Sequence, residues 1–149
     1  MDKNDVSLLE KHITGILKEE YSFYQSLYVL LDRQKDMLKY SNENKLLEIF
    51  SEIERCYLRI KKSQDKINSI KEQNSKMFQL AILSPTVRKI FNSITTLLKK
   101  CQKIVNENEE YVSQRHERIQ NEMGLLKNSE KILKYIQSHD LSTELVDKH

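Results

Sequence analysis

LLEKHITGILKEEYSFYQSLYVLLDRQKDML, residues 8–38, decides the fold. Its key positions recur in alternating steps of four and three: Leu9, Ile13, Ile16, Glu20, Phe23, Leu27, Leu30, Gln34 and Met37, seven of the nine apolar. That is the period of an α-helix with one buried stripe; a half-buried strand would alternate every second residue. A second line at spacing seven, Leu17, Tyr24, Leu31 and Leu38, widens the stripe beyond a two-stranded seam. The helix is therefore expected to pack against more than one neighbour. With Asn4 or Asp5 as its cap, it is expected over about 5–39.

Working outward, Tyr40-Ser41-Asn42-Glu43-Asn44 interrupts the pattern with residues that cap helices and suit a first turn. A second helix follows, with Leu46, Phe50, Ile53, Tyr57, Ile60, Gln64 and Ile67 at the same steps and Leu47, Cys56 and Ile70 beside them. So short a connection between two long helices predicts an antiparallel hairpin. The pattern weakens after Ile70 and turns apolar on all sides at Met77–Leu83, which is either the end of helix two, expected over about 43–83, or a separate short turn. Ser84-Pro85 is then a start signal, the serine as cap and the proline at a first position whose N–H would be unsatisfied anyway.

The third helix is expected over about 85–137. It carries Val87, Phe91, Ile94, Leu98, Cys101, Val105, Asn108, Val112, Arg115, Ile119, Glu122, Leu126, Ser129, Leu133 and Ile136 in four-three register. After Val105 one core position per heptad is polar (Asn108, Arg115, Glu122, Ser129), so this half is expected to be less enclosed. Residues 138–149 have no sustained pattern and read as a frayed tail. Two glycines and one proline in 149 residues exclude a turn-rich fold. The fold class is all-α: a long antiparallel helical hairpin plus a longer third helix, a coiled-coil-like three-helix bundle in a single domain.

Apolar content of 38 % and charged content of 32 % fit helices with one buried stripe and a wide solvated face. The net charge is +3, split evenly about Pro85, with 14 basic and 13 acidic residues before it and 11 against 9 from it onward. Pairs such as Lys61-Lys62 and Lys99-Lys100 are accordingly read as solvated surface, and no nucleic-acid partner is expected. The opening MDKNDVSLLEKH lacks the basic end and apolar run of a signal peptide, and no apolar run approaches the roughly 18 residues of a membrane span. A cytoplasmic protein without stable membrane insertion is the expectation.

No catalytic constellation is legible. Gly15 and Gly124 stand alone rather than in a phosphate loop. His12, His116, His139 and His149 have no partner at metal-ligand spacing, and His116, between Arg115 and Glu117, reads as a solvated imidazole. Cys56 and Cys101 lack zinc-type spacing and read as reduced thiols facing the core. Tyr21, Tyr24, Tyr28 and Tyr57 fall on or beside the buried stripes and read as amphipathic core-edge residues. Neither an enzyme nor a cofactor or metal site is expected.

Helices of about 35, 40 and 53 residues would measure roughly 80 Å for the third against 60 Å for its neighbours. A third helix running back beside the second would carry Leu125, Leu126, Ile132, Leu133, Tyr135 and Ile136 past the hairpin, an apolar projection that calls for an external partner. The alternative is a break near Gly124, where glycine costs about 1 kcal/mol relative to alanine, with the end folded back.

LLEKHITGILKEEYSFYQSLYVLLDRQKDML leading through KYSNENKLLEIFSEIERCYLRIKK, and TTLLKKCQKIVNENEEYVSQRHERIQNEMGLLKNSEKILKYI after it, resemble the FlgN family of flagellar type III export chaperones in helix lengths and pattern. Asn106-Glu107-Asn108-Glu109-Glu110 is more acidic than the family's asparagine-containing segment. The resemblance implies binding of newly made hook-filament junction proteins through their apolar C-terminal helical segments, and delivery to the export gate. It also implies that the last helix engages the client, here through Tyr111, Val112, Ile119, Met123, Leu126, Leu133 and Ile136. The chain would act as a monomer or weak homodimer, with export-gate components as further partners. The competing expectation is a structural coiled-coil subunit of a larger assembly, in which the same stripe pairs with itself or with a permanent neighbour.

Overall fold

A computed structural model describes residues 3–40 and 43–127, the side chains of 119 and 122–127 excepted. Among the described residues the structure is entirely α-helical in its regular elements: α1 Lys3–Tyr40, α2 Glu43–Gln73, α3 Ser75–Ile82 and α4 Pro85–Lys127. The expected all-α fold is what is found. The chain forms two compact units, residues 1–109 and 110–149, and the bundle belongs to the first.

Hydrogen bonds fix the helix directions. Cys56 Sγ on α2 donates to the Phe23 carbonyl at 3.1 Å, and Gln64, eight residues further on, bonds to Glu20, so numbers fall along α1 as they rise along α2 and the pair is antiparallel, as the short connection requires. Ser84 meets Glu10, Cys101 meets Tyr24 and Asn108 meets Leu31, so numbers rise together and α4 runs parallel to α1. The helix α1 thus serves both neighbours, which is why its stripe is wide. Its buried positions are Ile13, Ile16, Leu17, Glu20, Tyr24, Leu27, Leu31, Gln34 and Leu38. The spacing-seven line is buried throughout, whereas Phe23, Leu30 and Met37 of the first line are only half-buried.

On α2 the expected stripe holds at Leu46, Ile53 and Ile60, but at Phe50, Tyr57 and Gln64 the residue before each is buried instead. Leu46, Ile49, Ile53, Cys56, Ile60 and Ser63 are buried, while Phe50 and Tyr57 are 44 % and 46 % exposed and Gln64 is exposed. Both lines have helical spacing, and packing against α1 selects the one with the smaller side chains Cys56 and Ser63.

The helix α2 ends at Gln73 rather than near 83. Asn74 leaves helical geometry at φ −153°, and its Oδ1 accepts from Met77 N–H at 3.1 Å, capping a separate α3. Such a cap contributes about 1 kcal/mol. The short helix buries Phe78 and Ala81 in the core and leaves Leu80 and Leu83 exposed, so the all-round apolar run is only half used. Ser84 donates its hydroxyl proton to Glu10 Oε1 at 2.6 Å, tying the start of α4 to α1 instead of acting as the expected side-chain cap. Its carbonyl accepts the first bond of α4, from Arg88 N–H at 3.0 Å.

The helix α4 contributes Val87, Ile94, Cys101 and Ile104 to the core. Asn108, expected in a less enclosed stretch, is 4 % exposed. Its Nδ2 donates to the Leu31 carbonyl at 3.0 Å and to Gln34 Oε1 at 2.9 Å, a polar contact inside the α1/α4 seam. Two acceptors facing one nitrogen fix which way the amide points. Helix α4 continues through Gly124 to Lys127 without a break. The expected continuation over 128–137 and the tail 138–149 lie outside the described residues.

Candidate functional site

The burial of Ile49, Cys56 and Ser63 in place of Phe50, Tyr57 and Gln64 leaves a line of side chains unused by the core. Phe50, Tyr57 and Gln64, seven apart, run along the flank of α2, and Phe91, Leu98 and Val105, also seven apart, along α4. Phe91 is 36 % exposed, and Leu98 and Val105 are half-buried. Between the helices lies a groove of about 540 Å³. Tyr57, Ile60 and Gln64 form one wall, Leu98, Gln102 and Val105 the other, and Tyr24 and Leu27 of α1 the floor. Lys61 is the one charged residue lining it. Ridges spaced one heptad apart on two helices, with a third helix beneath, make the bed that an amphipathic helix fills when it completes a four-helix bundle.

Burial disfavours the ionised forms of Glu20, Tyr24, Cys56, Tyr57 and Cys101 around this groove. Burial pushes the Tyr24 phenol up, and the Glu20 carboxyl beside it adds to the shift. Burial also raises the Tyr57 phenol. Glu20, 5 % exposed, is itself raised by burial and partly relieved by a hydrogen bond from Gln64. Both thiols are buried and unbonded to each other, and both are raised by loss of solvent. They meet consecutive carbonyls of α1, Cys56 at Phe23 and Cys101 at Tyr24. Such thiols carry less thiolate than a free cysteine, the reverse of an activated nucleophile. Among the described residues no three His, Cys, Asp or Glu side chains gather to hold a metal ion, and no described helix is long and apolar enough to cross a membrane.

The residues expected to bind a partner lie in the second unit. Tyr111 is half-buried and Val112 is 42 % exposed. Ile119, Met123 and Leu126 belong to α4 with undescribed side chains, and Leu133 and Ile136 lie outside the described residues. Periodicity alone does not reveal the α2/α4 groove, because Phe50 and Tyr57 keep the same helical register as the core positions. A second line, Ile49, Cys56, Ser63 and Ile70, runs one residue away, and packing against α1 buries its Ile49, Cys56 and Ser63. Comparison with protein families, with curated proteins and with solved structures finds no match to the chain.

Proposed function

We propose that this chain is a cytoplasmic export chaperone of the FlgN kind, which holds an amphipathic helical segment of a newly made flagellar hook-filament junction protein and brings it to the export gate. The observation that carries the reading is the α2/α4 groove, whose two heptad-spaced apolar walls fit a client's helix better than any small ligand. The sequence pattern shared with that family supports it. The client's apolar face covers Tyr57 and Leu98; the resemblance separately implies engagement through Tyr111, Val112, Ile119, Met123 and Leu126.

The test is capture of a C-terminal helical peptide from a hook-filament junction protein. Wild type is expected to retain it. Phe50→Asp with Tyr57→Asp, both at exposed positions, is expected to lose it while keeping its far-UV circular dichroism. Leu126→Asp with Leu133→Asp probes the second half of α4 in the same way. Capture unchanged in both variants, or absent in wild type, defeats the reading.

A further inference from the structure

The even split of charge about Pro85 hides a sharp segregation. From residue 55 to 105 the chain holds twelve Lys and Arg against two acids, Asp65 and Glu72, while all other positions hold thirteen against twenty. A net charge of +3 is therefore +10 beside −7.

Part of that excess gathers on the flank of α4 opposite the apolar groove, where α4 lies along α1. A depression of about 530 Å³ there is lined by Arg88, Lys89 and Lys100 with Ser93, Thr96 and the half-buried Tyr21, and no carboxylate lines it. Lys18, one turn before Tyr21, and Lys103, one turn after Lys100, are both exposed and extend the row. Arg88 to Lys103 spans about 22 Å of helix.

We infer that this α1/α4 face docks an acidic segment of a partner protein, a short stretch with clustered Asp and Glu side chains. The chain's own Glu107 shows how a carboxylate fares at the upper end of the row. It accepts from Lys35 Nζ at 2.9 Å, and that bond, with the charges of Lys35, Lys103 and Lys39, holds it below the usual carboxylate range. The cations are lysines apart from Arg88, point charges suited to single carboxylates rather than the forked donors that favour phosphate. The inference stands apart from the export-chaperone reading, since it uses a different seam and a different force.

The experiment titrates a fluorescent Glu-rich peptide of about twelve residues into the full chain by anisotropy. A Gln-for-Glu peptide and single-stranded DNA of equal charge serve as comparators. Binding of the acidic peptide is expected at about 50 mM salt, weakened about tenfold or more at about 300 mM. Lys89→Glu with Lys100→Glu is expected to weaken it about tenfold or more, and the milder Lys89→Gln with Lys100→Gln to follow in the same direction. Lys62→Glu with Lys66→Glu, exposed on α2 and equal in net charge change, is expected to stay within about twofold of wild type. Three results overturn the inference: no binding at low salt, equal weakening by the two Glu pairs, or DNA bound more tightly than the peptide and lost through the same α4 substitutions.

Discussion

Asn108→Ala should be among the more damaging changes outside the apolar core. The wild-type amide donates two hydrogen bonds, to the Leu31 carbonyl and Gln34 Oε1, with Asn108 4 % and Gln34 6 % exposed. Truncation removes both, at about 1 kcal/mol net each, and strands the Gln34 amide away from water at a further 1–3 kcal/mol or so. The Leu31 carbonyl loses less, because it keeps its helical partner. The sum is about 3–5 kcal/mol, or a fall in Tm of roughly 10–15 °C for a chain of this size. Gln34→Leu alone leaves Asn108 its bond to Leu31 and should cost about 1–2 kcal/mol. Gln34→Leu with Asn108→Leu leaves no orphan and adds apolar surface, so it should fall within about 1 kcal/mol of wild type. Urea unfolding followed by far-UV circular dichroism of wild type, Gln34→Leu, Asn108→Leu and the double variant gives all four corners of the cycle. A double variant destabilised by the sum of the two singles would refute the reasoning, because it would mean that each side chain acts by filling space rather than by satisfying the other.

Two further outcomes follow from the titratable groups. The folded-state pKa of Glu20 is raised by burial, so folding favours the protonated carboxyl and the ionised form works against stability above that pKa. Glu20→Leu is therefore expected to stabilise the chain by about 1–2 kcal/mol at neutral pH, a gain that shrinks as pH falls through the carboxylate range; a constant or negative effect across that range in unfolding experiments contradicts the assignment. Cys56 and Cys101 should react slowly with a thiol reagent at mildly alkaline pH in the native chain and both promptly in denaturant. Fast native labelling of either would show that its seam opens readily.

Much of the fold was legible because helical periodicity is a local property. The hairpin, the wide stripe of α1 and the start of α4 at Pro85 follow from spacing and from one proline. What escaped depended on contacts between helices. Whether α2 buries Phe50 and Tyr57 or Ile49 and Cys56 is decided by the surface of α1, which offers small side chains a close fit and leaves the aromatic line for the groove. Asn74 was read within a weakening stretch because a cap in the middle of a polar run looks like any other polar residue until the chain turns. Asn108 was expected in an open stretch because its partner Gln34, itself polar at a core position, lies 74 residues away. Charge counted on either side of a helix boundary averaged away a cationic segment that straddles it.

The parallel setting of α1 and α4 has a consequence for the order in which the bundle assembles. The bonds joining α1 to α2 link residues 33 to 40 apart in sequence, whereas those joining α1 to α4 link residues 72 to 77 apart. Closing the longer loop costs about 0.6 kcal/mol more. The more local contacts favour the hairpin forming before α4 joins it, an order that φ-value analysis would test. A ligand seated between α2 and α4 touches both the early and the late part of the molecule. Binding there draws on the free energy of closing the bundle, so occupancy of the groove and completion of the fold form one linked equilibrium.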